Sequence, residues 1–428
     1  MSTASISRRR VLHGLSLAVA ALLVTDLSAC ALAEPELARA DVRRAPPDPG
    51  SVPAIIRTSC AFSLDLVRQV AGLDNLVCSP LSALVALSMV RNGAAGATAV
   101  EMDQTMHLPP LAELNAGLNA LTQTLQRVNG TRRRPDGSKT KVSLNLVNSV
   151  WGQTGMSWQA PFLAALAGSY GTGVHQLDFA ADPDRARRHV NDWVSDQTDE
   201  RIEHIIPPDL IRPDTRMVLA NALHLKAGWR EALTEIADGP FRTPDSAVTT
   251  PRLQGQVLGS RHTSGHWDSA RIPCAGDELA MTVILPTTDI STLLAQLTAA
   301  DLALLLAGPA PMTVDLTLPA FTYGTKLPLT EVLKELGMPR AFSPQAEFPG
   351  ITAQETLMLD EALHQGWVAV DQNGMEAAAA TVVTMVPVSA GPPADRTLVL
   401  DRPFLFCLHD TSMGTPLMMG VVNNPAEN

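Results

Sequence analysis

Apolar residues recur at helical spacing over residues 55–70 and predict an amphipathic helix. A second helix opens at Ser79-Pro80, where a capping serine precedes a proline at the first helical position. Its apolar face runs through Leu81, Leu84, Val85 and Met89. Residues 111–128 and 182–199 read as further helices. Residues 142–151 alternate like a strand. Residues 216–226 are almost wholly apolar, which suits a central strand buried on both faces. Shorter strands are predicted at 281–285, 312–318, 368–370, 398–400 and 404–408. Helices and strands are mixed in an order that excludes a βαβ repeat, so the class is mixed α and β with more than one sheet.

Residues 374–389 depart from this pattern. Gly374, Met375 and Glu376 lead into Ala377, Ala378, Ala379, Ala380 and Thr381, and then into a Val-rich stretch ending near Val388 and Ser389. The alanines favour a helix and Val-Val-Thr favours a strand. Pro387, Gly391, Pro392 and Pro393 then impose exposed loop chemistry. As a strand, the segment places Met375, Ala377, Ala379 and Thr381 on one face and Glu376 on the other. Side chains this small pass between two existing strands with little steric cost.

Composition narrows the function. The chain has 428 residues, 46% of them apolar, enough for one large core. A net charge of −11 excludes bulk electrostatic binding of nucleic acid. The first residues read as an export signal. Arg8-Arg9-Arg10 form a twin-arginine pattern, followed by an apolar run too short to span a membrane as a helix. Leu27-Ser28-Ala29-Cys30 then resembles the bacterial lipobox, which implies lipid on Cys30 and a mature chain at the outer face of the cell membrane. The alternative is an ordinary secretory signal. Removing residues 1–29 takes away three Arg and one Asp, moving the charge from −11 to −13. Residues 30–54, rich in proline and charge, read as a flexible tether, and residues 55–428 as one domain.

Cys60, Cys78, Cys274 and Cys407 allow three disulfide pairings, although their apolar contexts suit buried free thiols. No nucleophile elbow, phosphate-binding loop or zinc-helix motif is present, so nothing points to an enzyme or to a cofactor. His262 and His266 are four apart, but Gly265 argues against a helix that would aim both at a metal. Arg132, Arg133, Arg134, Lys139 and Lys141 form a basic loop against Asp136. It reads as a solvated turn, or as a contact for an anionic polymer.

Residues 374–381 resemble the hinge of the serpin reactive-centre loop, and ordered matches run from Asn75 to Pro425. Asn75-Leu76-Val77-Cys78-Ser79-Pro80 is similar to the family's second helix, and Leu219-Ala220-Asn221-Ala222-Leu223-His224 with Trp229 to its central strand. Leu318-Pro319-Ala320-Phe321, Phe348-Pro349-Gly350-Ile351, Asp401-Arg402-Pro403-Phe404 and Pro416-Leu417-Met418-Met419-Gly420 follow in order.

The resemblance implies the serpin fold, with three β-sheets, about nine helices and an exposed reactive-centre loop at about residues 374–396. It implies a suicide-substrate inhibitor of serine proteases, whose cleaved loop enters the main sheet as a new strand and distorts the captured protease. By the same resemblance Ser79, Ser82, Asn221 and His364 form the shutter beneath that sheet. Trp229, alone an ordinary core aromatic, marks the breach where insertion starts. The scissile bond falls fourteen residues beyond Gly374, at Val388–Ser389, and a valine there suits elastase-like proteases. Met375 stands where such inhibitors carry a smaller residue, and its bulk is expected to slow insertion. The alternative is a serpin-fold binding protein or protease substrate that does not inhibit.

Overall fold

The computed structural model describes residues 35–72, 74–260, 265–375 and 393–427. The chain enters through a short strand β1 (Leu37–Ala38), then helix α1 (Val52–Val70), strand β2 (Leu76–Cys78) and helices α2 (Pro80–Arg91), α3 (Gly96–Thr105) and α4 (Leu111–Gln126). A hairpin of β3 (Gly130–Arg133) and β4 (Lys139–Gln153) leads to α5 (Ala160–Ala165), β5 (Val174–Leu177), α6 (Pro183–Gln197) and the central strand β6 (Met217–Gly228). Four strands follow: β7 (Thr234–Arg242), β8 (Ala247–Ser260), β9 (Trp267–Pro273) and β10 (Leu279–Pro286). Helices α7 (Ile290–Gln296) and α8 (Ala299–Leu306) precede β11 (Pro309–Pro319), β12 (Phe321–Pro328) and α9 (Leu329–Glu335). The last strands are β13 (Ala362–Val370), β14 (Gly374–Met375), β15 (Arg396–Val399), β16 (Phe404–Asp410) and β17 (Pro416–Val422).

The main sheet runs β1-β5-β4-β6-β14-β13-β12, with β3 paired to β4. The other strands form one hydrogen-bonded network in two parts. One part holds β15, β11, β8 and β7; the other holds β9, β10, β16, β17 and β2. Among the described residues two register pairs join them, Leu258 with Arg271 and Gly259 with Ala270. With the main sheet, that makes the three-part β architecture that the resemblance implies, around nine α-helices among the described residues.

Two expectations change. Residues 35–51 are fastened to the body rather than free. β1 pairs with β5, and the Arg44 guanidinium donates to Asn119 Oδ1 at 2.9 Å and Thr122 Oγ1 at 2.7 Å. Gly173 permits this strap, since a Cβ there would meet the Ala38 carbonyl oxygen at 2.4 Å. The basic segment 131–141 is a hairpin and not a loop: β4 starts at Lys139, three residues before the alternation in sequence becomes apparent.

The helices begin where their caps dictate. Ser79 Oγ accepts from Ser82 N–H at the start of α2, and Asp182 accepts from Arg185 N–H at the start of α6. α2 is buried along nearly its whole length, so the central helix rests beneath the main sheet with little contact with water. α6 lies against β4 and β6, with Val190, Val194, Ile202 and Ile206 packed on Trp151, Ala220 and Ala222.

Candidate functional site

The site is the seam between β6 and β13. These strands pair directly and in parallel over four positions, from Ala362 with Leu219 to Gln365 with Ala222. Above Gln365 they part. At the far end β14 lies between them, antiparallel to both: Met375 sits opposite Ala227 of β6 and Val370 of β13. The sheet therefore holds a wedge, closed at one end, with two residues of the 374–381 segment already seated at the other.

The seated residues fit closely. At Gly374 a Cβ would lie 2.4 Å from the Ala227 carbonyl oxygen and 2.5 Å from the Gly228 Cα, so only glycine is accommodated. Met375 is 2% exposed and belongs to the apolar cluster that contains Trp229, Val370 and Phe321. It is thus already inside the sheet in this structure. Its flexible thioether fills a pocket that exists in this state.

The turn that delivers them is tied down by hydrogen bonds to its backbone groups. Asp371 accepts from the N–H groups of Asn373 and Gly374, while Leu233 N–H donates to the Gln372 carbonyl at 2.8 Å. Trp229 is fully buried. Its N–H donates to the Asn373 carbonyl, and its indole Nε1 donates to the Asp371 carbonyl at 2.9 Å. Asp371-Gln372-Asn373-Gly374 is turn chemistry in the sequence, a signal that locates the turn but not its partners.

The structure brings Ser79, Ser82, Asn221 and His364 together under the closed end of the seam, all buried. Ser79 N–H donates to His364 Nε2 at 2.8 Å. Nε2 is therefore the acceptor, the proton resides on Nδ1, and Nδ1–H donates to Asn221 Oδ1 at 2.7 Å. Ser79 Oγ donates to the Leu417 carbonyl, and Ser82 Oγ to the Ala222 carbonyl at 3.0 Å. One residue was not foreseen: Asn148 of β4, opposite Asn221, whose Oδ1 lies 3.3 Å from Ser82 Oγ. Burial pushes the His364 pKa down to about 4, so the ring is neutral at ordinary pH. On the opposite face a cavity of about 570 Å³ lies between residues 204–208 and Leu363, His364 and Gln365.

The basic hairpin is divided in its roles. Arg132 pairs with Glu278 at 3.0 Å, and Arg134 reaches inward to the turn beside Trp229. Arg133, Lys139 and Lys141 are exposed. Cys60, Cys78, Cys274 and Cys407 are all free and buried. Glu376, Ala377, Ala378, Ala379, Ala380, Thr381, Val388, Ser389, Cys30 and His262 lie outside the described residues. Among the described residues no group of three or more His, Cys, Asp or Glu side chains is placed to hold a metal. From residue 393 the described chain resumes: Asp395 Oδ2 accepts from Thr313 N–H at 2.7 Å and β15 pairs with β11.

A family model described as Serpin (serine protease inhibitor) matches residues 57–425. An uncharacterised serpin-like protein of Thermococcus kodakarensis is 31% identical over 386 residues, covering 88% of this chain and 87% of its own. Serpin B4 of Homo sapiens is 28% identical, covering 85% and 97%. Among solved structures, the thermophilic serpin tengpin in its native state superposes with a TM-score of 0.77 at 24% identity, covering 90% of this chain and 97% of that one. Uncleaved ovalbumin gives 0.73 at 21% identity, covering 87% and 100%. These two likenesses concern the fold alone.

Proposed function

Since the chain belongs to the serpin family of serine protease inhibitors, we propose that it is an inhibitory member, consumed stoichiometrically as a suicide substrate. The wedge between β6 and β13 carries this reading. A strand continuing from Met375 would run between edges of β6 and β13 that no described residue pairs with, and its backbone groups would be satisfied by strand addition; loop insertion in this family is a standard example of that mode. Insertion must unmake the four direct pairs at the closed end, where the buried network of Ser79, Ser82, Asn221 and His364 would act as the shutter. Trp229, bonded to the turn before Gly374, would mark the breach. The cavity beside Leu363 and Gln365 supplies room beneath the segment that follows α6.

The proposed reactive bond is Val388–Ser389 and the proposed targets are elastase-like serine proteases, because a branched apolar side chain suits a shallow uncharged pocket. Mixing with such a protease should give a covalent complex that survives denaturing electrophoresis. Cleavage with no complex would leave a serpin-fold substrate or binding protein instead.

The proposed location is the outer face of the cell membrane, reached by twin-arginine export and held by lipid on Cys30. Labelled fatty acid should enter the wild type and not Cys30→Ala; equal labelling would refute the anchor. The outward cations Arg133, Lys139 and Lys141 are the remaining candidates for an anionic polymer. An inhibition rate unmoved by added polyanion at low salt would remove that partner.

A further inference from the structure

We infer that Arg134 is a positioning residue for loop insertion, holding the first two residues of the incoming strand in register before the loop is cut. The inference rests on the inhibitory reading above and adds a residue to it. The β3–β4 hairpin closes through Arg134 N–H to the Ser138 carbonyl and Gly137 N–H to the Arg134 carbonyl, so Arg134 stands at its tip. From there the guanidinium turns inward. Nε donates to the Trp229 carbonyl at 2.8 Å and Nη2 to the Asn373 carbonyl at 2.7 Å. Asn373 directly precedes Gly374, and its carbonyl also accepts from Trp229 N–H at 2.9 Å. Both lone pairs of that oxygen are thus used, one by the central strand's end and one by the hairpin.

The neighbouring strand makes space for this contact. A Cβ on Gly228 would lie 2.6 Å from Arg134 Nη2 and 2.5 Å from Thr140 Oγ1. Gly228 is also the register partner of Gly374. The glycine therefore serves two close approaches, one from the hinge strand and one from the arginine. A guanidinium is suited to the task because it presents several donors in a rigid plane and stays charged.

The mechanism is a population shift. With Arg134 in place, the turn 371–374 is fixed and Met375 is seated, so the cut loop extends a strand already begun. Without it, the turn withdraws in a fraction of molecules, and each must reseat before insertion proceeds. The insertion rate falls with the seated fraction. A longer-lived acyl-enzyme then hydrolyses more often, and more inhibitor is spent per protease trapped.

The test uses the full chain and the variants Arg134→Gln and Arg134→Lys. The loop is nicked with a metalloprotease, which forms no acyl-enzyme. Insertion is then followed through tryptophan emission and the gain in thermal stability. Insertion in Arg134→Gln should be roughly three- to tenfold slower, the effect of losing about one ordinary hydrogen bond, since glutamine can still donate one of the two. Arg134→Lys should fall between it and the wild type. The stoichiometry of inhibition should rise in the same order, while the urea midpoint of the uncut protein moves little. Insertion as fast as wild type, or faster, in Arg134→Gln would overturn the inference. A slower nicked-loop insertion with no protease complex in any variant would uphold Arg134 and refute the inhibitory reading. A nicked wild type that gains no stability would refute both.

Discussion

His364 Nδ1 and Asn221 Oδ1 lie 2.7 Å apart across the β6–β13 seam, at residues that are themselves register partners. One hydrogen bond between side chains thus spans a junction that must open when a strand enters. It also makes the junction sensitive to acid. The folded pKa is about 4, below the ordinary 6.5, so the unfolded chain binds the proton first as pH falls. Stability from this site is complete above about pH 6.5 and is lost as pH drops toward 4, with a span on the order of 3 kcal/mol. His409, pushed down to about 3 by burial and by Arg271, adds to the same slope. Urea unfolding of His364→Asn between pH 7 and 4 should show a shallower decline than the wild type. Parallel curves would remove His364 as the source.

Met375→Thr is expected to weaken inhibition. The methionine is already buried against Trp229 and Val370, so shortening it leaves a void and a buried hydroxyl, costing about 2 kcal/mol or more. The hinge should spend more time out of the sheet, and the stoichiometry of inhibition should rise. A fall would mean that side-chain bulk, and not seating, limits insertion.

Val388→Arg should redirect the molecule from elastase-like to trypsin-like proteases, since arginine satisfies a pocket floored by an aspartate. Mass spectrometry of the C-terminal peptide released from the denatured complex should find a fragment starting at Ser389. One starting at Val386 would move the bond to Met385–Val386.

The four cysteines of the folded body should behave as inert thiols. Burial pushes Cys60 and Cys78 up to about 12, and Cys274 and Cys407 are raised further. A thiol reagent at pH 8 should label none of them in the native protein and all four in urea, without prior reduction. Labelling of only two in urea would reveal a disulfide.

Much of the fold is written locally. Ser79-Pro80 and Asp182 mark helix starts by satisfying backbone donors, and the apolar run of β6 declares a strand with no wet face. Other elements carry no such mark. β7 is mostly exposed, with Gly239 and Pro240 inside it, and becomes a strand only because β8 offers an edge. β1 is two residues long and exists because Gly173 lacks a side chain far away in sequence. The site divides in the same way. His364 and Ser79 came from an ordered resemblance, whereas the inward turn of Arg134 depends on two backbone carbonyls that no side-chain pattern announces.

The strap β1 also gives the molecule a direction. Ala38 pairs with Val174, Val174 with Val150, Val150 with Leu219, and Leu219 with Ala362, so the strap meets the main sheet at its closed end. Met375 sits opposite Ala227, eight residues further along β6, about 26 Å away. The strap and the hinge therefore engage opposite ends of the β6–β13 seam. Tension applied through residues 35–38 would load the closed end of the seam first and the seated Met375 last.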